Sequence, residues 1–320
     1  MIMSSLFIIG NGFDLDHGIK TSYEDFHQFL KAEYPDASED DYVLPESTSM
    51  PDGGIEFDDD EVASFLLRLI SNTELDGDEW SDLENSLGVL DFSEYLDYVT
   101  KVFDKDGDID EWKTMYNTED VALNLVVPTQ RITKFFSNWV DTIEIDGTIP
   151  NKPDFEALID KNCDMFLTFN YTQTLEKLYQ VKNVCHIHGE QGEDLLFGHG
   201  NDTDYSEEIM GKHVGAEGAL QEIQAALRKD TTGAINNHQD FFDTLSPSVE
   251  KIYSYGFSFS KVDEVYIKDI CYKLETSNTI WYLNDYDNPT KLKQYEEKII
   301  NCGFKGRFST YHIRKLGCIL

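Results

Sequence analysis

Hydrophobic residues in the region 31–152 recur with the period of an α-helix. The first repeat has apolar residues at i, i+3, i+4, i+7 and i+8, namely Val62, Phe65, Leu66, Leu69 and Ile70. The stretches 92–99 and 132–143 repeat this spacing. Such apolar stripes predict amphipathic helices that pack on one another. The stretch 33–61 is rich in Pro, Gly, Ser and acidic residues, and it predicts a long solvated loop.

After Pro153 the pattern changes, and short apolar runs alternate with amphipathic stretches. Counting the run near the start of the chain, the predicted strands are 6–9, 164–170, 183–189, 250–259 and 278–285. The predicted helices between and after them are 172–179, 218–229, 262–275 and 290–303. Alternation of this kind predicts a mostly parallel sheet with helices on both faces, which the strand 6–9 must join.

We therefore predict an α/β fold, a Rossmann-like and mostly parallel sheet with a large helical insertion or cap. Residues 1–30 plus 153–320 form the predicted nucleotide-binding domain, and residues 31–152 form the acidic, mostly helical insertion. Ligands of such sheets lie beyond the carboxyl ends of the strands. Four separate segments follow predicted strands and should converge there: Gly10 with Gly12, the stretch 168–172, His188, and the stretch 256–258.

Charge and cysteine content narrow the class of ligand. With 61 acidic and 26 basic residues the chain has a net charge of −35, which opposes direct binding of nucleic acid. The five cysteines show no CxxC spacing, so neither a zinc ribbon nor a disulfide framework is predicted, and reduced thiols suit a cytoplasmic protein. No apolar run is long enough to span a membrane, so we expect no membrane partner.

The glycine turn GNGFD contains Gly10, Asn11, Gly12, Phe13 and Asp14, directly after the first strand. Two glycines there permit a tight turn and close approach of a phosphate to a helix N-terminus. The alternative is an ordinary strand-to-helix turn. The carboxylate at position 14 would repel a phosphate unless it caps the helix or faces a ribose hydroxyl.

The motif TFNYT, residues 168–172, ends an apolar strand and begins a helix. The Thr168 hydroxyl and the Asn170 amide suit sugar hydroxyl groups or a bound water. The alternative is helix capping, for which Thr172 is a good candidate.

In the motif HIHG, His186 and His188 lie two residues apart, which places them on one face of a strand. His188 could act as a base near neutral pH. Two alternatives stay open: metal ligation together with His199, and a pair of hydrogen-bonded core histidines.

Two further motifs carry polar side chains at informative places. In YGFSFSKVD, Gly256 and Ser258 follow a strand and can present backbone and hydroxyl donors to a ligand, although many such sequences are only turns. In WSDLEN, Trp80 and Glu84 lie one helical turn apart. Glu84 is either a carboxylate supplied to the site or a surface residue beside a packed tryptophan.

Taken in order, these motifs resemble the AbiH abortive-infection family of bacterial antiphage proteins. The matching motifs are IIGNGFDLDHGIKTSYEDF, WSDLE, FLTFNYTQTLEKLY, HIHG, GHGN and YGFSFSKVD, and they span nearly the whole chain. The resemblance implies a cytoplasmic antiphage effector that arrests growth when triggered, with a phage protein as one candidate trigger.

AbiH proteins in turn resemble the sirtuin-like NAD-binding fold. The sirtuin phosphate loop GAGIS is matched by residues 10–14, the motif TQNID by residues 168–172, and the strand end GTS or GSS by residues 256–258. The catalytic HG of sirtuins is matched by His188 and Gly189. Asp14, Phe169 and Thr172 replace the family's serine, glutamine and aspartate, and the zinc ribbon is absent. These departures argue against protein deacetylation.

The resemblance implies NAD or a related nucleotide as ligand, with hydrolysis of the nicotinamide–ribose bond. His188 would be the base and Asn170 would place the water. The implied nucleotide-binding residues are Gly10, Asn11, Gly12, Phe13, Asp14, Thr168, Gly189, Gly256 and Ser258. No metal is expected.

Two other interpretations remain open. One is a non-catalytic nucleotide sensor, whose helical cap contacts a phage protein or a second copy of the chain. The other is a metal-dependent hydrolase built on His186, His188 and a carboxylate.

Overall fold

The computed structural model describes residues 5–73, 82–97, 99–245 and 249–314. By contacts between residues the chain divides into two compact units. The sheet unit holds residues 5–22, 140–196 and 230–314 of the described chain. The helical unit holds residues 23–139 and 197–229 of it.

The described chain contains strands in two separate sheets. The strands are β1 (Ser5–Ile9), β2 (Ser47–Ser49), β3 (Ile55–Phe57), β4 (Met165–Thr168), β5 (Val184–His186), β6 (Lys251–Tyr255), β7 (Ile280–Asn284) and β8 (Arg307–Tyr311). The large sheet has the order β5-β4-β1-β6-β7-β8 and every pairing in it is parallel. Its strands thus follow the order 3-2-1-4-5-6 of a Rossmann-like sheet, which confirms the predicted fold class.

The helices of the sheet unit are α1 (Asn11–Asp16), α7 (Pro153–Leu158), α8 (Thr174–Tyr179), α11 (Thr231–Asn237), α12 (Gln239–Thr244), α13 (Glu264–Leu274) and α14 (Pro289–Asn301). Those of the helical unit are α2 (Tyr23–Glu33), α3 (Asp59–Thr73), α4 (Leu83–Leu87), α5 (Ser93–Leu96), α9 (Ser206–Lys212) and α10 (Glu217–Ala226). Helix α6 (Glu111–Thr142) lies in the helical unit except for its last turn.

Alternating side chains bury both faces of the large sheet. On one face, rings stack across four neighbouring strands: Phe166, Phe7, Tyr253 and Tyr282 lie with centroids 4.6 to 5.1 Å apart. On the other face, aliphatic side chains of β1, β4 and β6 pack with Trp281. A strand covered on both sides needs a continuous apolar run, which is why β1 and β4 could be predicted from the sequence.

The order in which successive strands are added to the sheet reverses between β1 and β6. From β1 the chain moves through β4 to the edge strand β5, and it then returns to β6 and moves outward to β8. The carboxyl ends of β1 and β6 therefore form a topological switch point, the usual ligand position in open α/β sheets.

The structure differs from the sequence prediction at several places. The loop predicted for 33–61 contains the hairpin β2–β3, closed by a turn in which the Met50 N–H donates to the Gly54 carbonyl. The helix predicted for 92–99 is the single turn α5. Strand β8 was not predicted, because most of its residues are exposed and give a weak hydrophobic signal. Residues 23–30 and 197–229, assigned to the nucleotide-binding domain from sequence, group with the helical unit, and residues 140–152, assigned to the insertion, group with the sheet unit.

No helix in the described ranges is both long enough and apolar enough to cross a bilayer.

Candidate functional site

Three glycines bring the β1–α1 turn against the end of β6. A Cβ on Gly10 would lie 2.6 Å from the Gly256 carbonyl oxygen, and one on Gly12 would lie 2.7 Å from the Gly256 Cα. Gly256 has φ +64, and its Cβ would lie 2.2 Å from the Phe13 nitrogen. The close contact of two backbones, over a separation of more than 240 residues, therefore explains all three glycines.

The N–H groups of this turn are largely engaged inside the protein. Gly10 donates to the Tyr255 carbonyl and Gly12 to the Gly256 carbonyl, each at 3.0 Å, and Phe13 donates to the Gly10 carbonyl at 2.9 Å. The sequence suggested that the N–H groups of Gly10 to Gly12 face a phosphate. In the structure the N–H groups of Gly10 and Gly12 bind carbonyls at the end of β6 instead.

Asp14 is fully buried at the carboxyl ends of β1 and β4. Its Oδ2 accepts a hydrogen bond from the Thr172 hydroxyl. Burial raises the pKa of Asp14 from 3.8 to about 6, although hydrogen bonds from Thr172, Thr174 and Asn170 act in the opposite direction. Thr172 thus does not serve merely as a helix cap, because its hydroxyl binds this carboxylate.

Asn170 lies directly beyond β4 and is 5% exposed. Its N–H donates to the Thr168 hydroxyl at 3.1 Å, which fixes the bend that follows the strand. Among the described residues, neither Oδ1 of Asn170 nor Oδ1 of Asp14 has a hydrogen-bond partner of good geometry. A buried acceptor without a partner is costly, so each of these two oxygens calls for a partner such as a bound hydroxyl or water.

His186 is held as an ion-paired residue beside this cluster. Its Nδ1 donates to the Asn170 carbonyl at 3.1 Å, and its Nε2 lies 2.9 Å from the Glu176 carboxylate. Burial disfavours the charged ring, but the hydrogen bond with Glu176 and its charge outweigh this and raise the pKa of His186. A ring with both nitrogens used in this way is poorly suited to act as a base.

His188 contacts a different set of side chains, because β5 ends at His186 and the chain then turns. The ring packs edge-on against Phe169 and Tyr266, at centroid distances of 5.2 and 5.7 Å. Its Nε2 lies 3.5 Å from Oδ1 of Asp263. The structure therefore brings Asn170 to Asp14, and it brings His188 to Asp263.

Two clefts open at the carboxyl edge of the sheet unit. The first, of about 460 Å³, lies at the ends of β1, β6 and β7, and its lining includes Gly12, Asp16, Gly256, Ser258, Asn284 and Lys291. We call it the edge cleft. The second, of about 610 Å³, lies beside β5, and its lining includes His186, His188 and Gly189. His188, although only 3% exposed, thus borders open space.

The edge cleft rests on a charged network that the sequence did not reveal. The Lys152 ammonium is fully buried and pairs with the Asp16 carboxylate, which also accepts the Tyr255 hydroxyl at 2.5 Å. Tyr179 accepts the Lys152 N–H at 2.8 Å and hydrogen-bonds His17 at 2.6 Å. Lys152 lies in an irregular segment far from Asp16 in sequence, so no local pattern could have connected them.

Glu84 and His199 belong to the helical unit, and both are engaged there. The Glu84 carboxylate binds the buried Lys229 ammonium at 2.6 Å. His199 Nδ1 accepts the Asn201 N–H and its Nε2 donates to the Gln224 carbonyl, each at 3.0 Å. Trp80 lies outside the described residues. Within the described ranges, no three His, Cys, Asp or Glu side chains form a group that could hold a metal ion.

Fold and site together define a Rossmann-like α/β protein with a cleft at the switch point and a buried carboxylate–carboxamide pair at the ends of β1 and β4. The model of the family described as "Bacteriophage abortive infection AbiH" matches residues 6–285, and the chain belongs to this family. It is thus a protein of phage abortive infection, as the motif order predicted. No curated protein and no solved structure matches the chain significantly.

Proposed function

We propose that this AbiH protein binds NAD or a related nucleotide at the carboxyl edge of its sheet and hydrolyses the nicotinamide–ribose bond. The observation that supports this most directly is the Asp14–Asn170 pair, a buried carboxylate with a pKa of about 6 beside a carboxamide, both with an unsatisfied oxygen. The pair lies at the carboxyl ends of β1 and β4, and the edge cleft lined by Gly12 and Gly256 opens at the carboxyl ends of β1, β6 and β7.

The chemistry of the bond explains why such a pair would serve. Nicotinamide leaves with the bonding electrons, and the ribose C1′ passes through a cation that resembles an oxocarbenium ion. A carboxylate held in a site of low polarity stabilises that charge more than it would in water. Water then adds to C1′ and releases one proton, which a group of pKa about 6 can accept at neutral pH.

In this proposal Asn170 orients the attacking water, as expected from the sequence, and Asp14 gains a role that the sequence did not give it. The polar lining of the edge cleft, with Ser258 and Asn284, would contact the rest of the nucleotide. His188 stays a candidate base, acting from the cleft beside β5 with Asp263 fixing its ring.

The test is nicotinamide release from NAD by the purified protein, with the variants Asp14→Asn, Asn170→Ala and His188→Ala. We expect the first two to lower the rate by about 10²-fold or more, in line with loss of an electrostatic or positioning group. A matched control is Asp164→Asn. Asp164 is also a buried aspartate whose pKa burial raises, but it lies at the amino end of β4 and binds the Ser5 N–H at 2.7 Å. Undiminished activity in Asp14→Asn would refute the mechanism.

A second candidate function is a nucleotide sensor without turnover. Its support is the low exposure of Asn170 and His188, at 5% and 3%, which suits residues that hold a structure as well as residues that react. Titration calorimetry with NAD distinguishes the two. A sensor binds NAD with no release of nicotinamide, even after a phage protein that triggers defence is added.

A further inference from the structure

Helix α6 carries an exposed apolar stripe in the helical unit. Trp112, Tyr116, Leu123 and Val127 are 72%, 55%, 50% and 46% exposed. At 100° per residue these four positions fall within about 60° of one another on the helix surface. Scattered exposed apolar residues are ordinary, but a contiguous set on one helix face usually marks an interaction site. We call these four residues the α6 stripe.

The apolar surface continues beyond one end of the stripe. Trp112 also lines a groove of about 600 Å³, together with Ile109, Met115 and Val214. Ile109 and Val214 are 46% and 54% exposed. Together the stripe and the groove present apolar contacts over more than four turns of helix, which is the length that a partner helix can cover.

Charges beside the stripe indicate what kind of partner fits. Glu119 and Asp120 are exposed in its middle, and within the described chain neither carboxylate forms an ion pair. Lys113, the cation next to Trp112, is already paired with Asp110 at 2.8 Å. The stripe therefore combines apolar contacts with a negative centre.

The negative charge of Glu119, Asp120 and the whole chain argues against two other partners for the α6 stripe. A second copy packed on the stripe about a two-fold axis, parallel or antiparallel, would bring Glu119 and Asp120 next to the same residues of its partner. A lipid bilayer with anionic headgroups would repel a chain of net charge −35. A basic partner would not be repelled by these acidic residues.

We infer that the α6 stripe is the docking surface for a basic amphipathic helix of another protein. The apolar face of that helix covers Trp112, Tyr116, Leu123 and Val127, and its Lys or Arg side chains flank the apolar face and pair with Glu119 and Asp120. Recognition of this kind is helix on helix, with apolar anchors for affinity and charge for orientation.

The test uses the full chain and three synthetic helical peptides that share one leucine face and differ in their flanks, which are lysine, glutamate or glutamine. Binding is measured by anisotropy of the labelled peptides. Trp112 fluorescence, identified as the part of the emission that the variant Trp112→Phe lacks, gives a second signal. Trp112 is 72% exposed, whereas Trp139 and Trp281 are 5% and 0% exposed, and Trp80 lies outside the described residues. We expect the lysine peptide to bind at least about tenfold more tightly than the glutamate peptide and to shift Trp112 emission to the blue.

Two variants separate docking from general attraction of a basic peptide to an acidic protein. Leu123→Asp makes the surface more acidic yet should weaken binding of the lysine peptide at least about tenfold, because it removes an apolar anchor. The double variant Glu119→Lys, Asp120→Lys should reverse the preference in favour of the glutamate peptide. The matched control is Tyr272→Asp on α13, which changes a side chain that is 81% exposed and should leave binding unaltered.

Four results would overturn the inference. The lysine peptide could bind Leu123→Asp as tightly as the unaltered chain, or fail to bind the unaltered chain. Sedimentation could show a dimer that Leu123→Asp dissociates, which would assign the stripe to a second copy. Phosphatidylcholine vesicles could shift Trp112 emission, which would assign it to a membrane.

Discussion

The substitution Asp14→Asn should stabilise the protein, and by an amount that grows with pH. The folded protein raises the pKa of Asp14 from 3.8 to about 6, so it binds the proton more tightly than the unfolded chain does. The contribution of Asp14 to the stability of the folded protein is greatest below its pKa in the unfolded chain, and it is lost as pH rises through its pKa in the folded protein. At about 1.4 kcal/mol per pKa unit, ionised Asp14 costs about 3 kcal/mol at neutral pH.

Asparagine should remove this cost because it carries no charge. Its Oδ1 can still accept the Thr172 hydroxyl. About half of the cost is already present near pH 5 and nearly all of it above about pH 7. The gain in unfolding free energy of the variant should therefore rise by roughly 1.4 kcal/mol across that interval.

The measurement is urea denaturation followed by near-ultraviolet circular dichroism, at pH steps from about 5 to about 8, with slopes checked for a change in denatured-state compactness. An exposed carboxylate variant, Asp106→Asn, serves as the control for pH effects on the rest of the chain. The stability difference between Asp14→Asn and the unaltered chain could instead be the same at both ends of the pH range. That result would show that folding does not raise the pKa of Asp14. The role proposed for it in catalysis would then lose its basis.

Four further substitutions test the surroundings of the site by thermal and urea unfolding. Gly256→Ala and Gly18→Ala both place a side chain at positive φ (+64 and +76), but only the side chain at position 256 meets backbone atoms. We therefore expect a loss of about 1 kcal/mol in unfolding free energy at Gly18 and of at least about 3 kcal/mol at Gly256. Equal losses would contradict the packing argument. Lys152→Met should cost about 3 kcal/mol, because it leaves a largely buried carboxylate without its cation, and a neutral result would mean that water already reaches the pair. Ser254→Ala removes the acceptor of the buried Trp281 N–H at 2.7 Å and should cost about 1 to 3 kcal/mol, whereas no loss would mean that the indole finds another partner.

The elements predicted correctly from sequence are those with a strong local signal. Strand β1 is an apolar run ended by glycine, and α3 has five buried residues at helical spacing. Helix α14 begins with Asn288, whose side chain accepts the Lys291 N–H, followed by proline. Hairpin β2–β3 and strand β8 gave little signal, since both are mostly exposed and owe their strands to backbone pairing rather than to burial.

That Asp14 and Asn170 belong to a functional site stays a prediction, and the structure adds that their side chains lie together. The motif order placed both residues beyond predicted strands. It could not indicate that Gly10 and Gly12 bind the backbone of Gly256, or that Lys152 neutralises a carboxylate of α1, because those contacts join residues far apart in sequence. Pairing of buried polar groups depends on tertiary geometry, which periodicity does not encode.

The position of β1 in the middle of the sheet has a consequence for synthesis on the ribosome. Its two neighbours, β4 and β6, are made some 160 and 245 residues after it. At about 5 to 20 residues per second the tip of β6 emerges roughly 10 to 50 s later than β1. A polypeptide interrupted before residue 251 can form neither the glycine contact nor the edge cleft, so the nucleotide site proposed there is completed only late in translation.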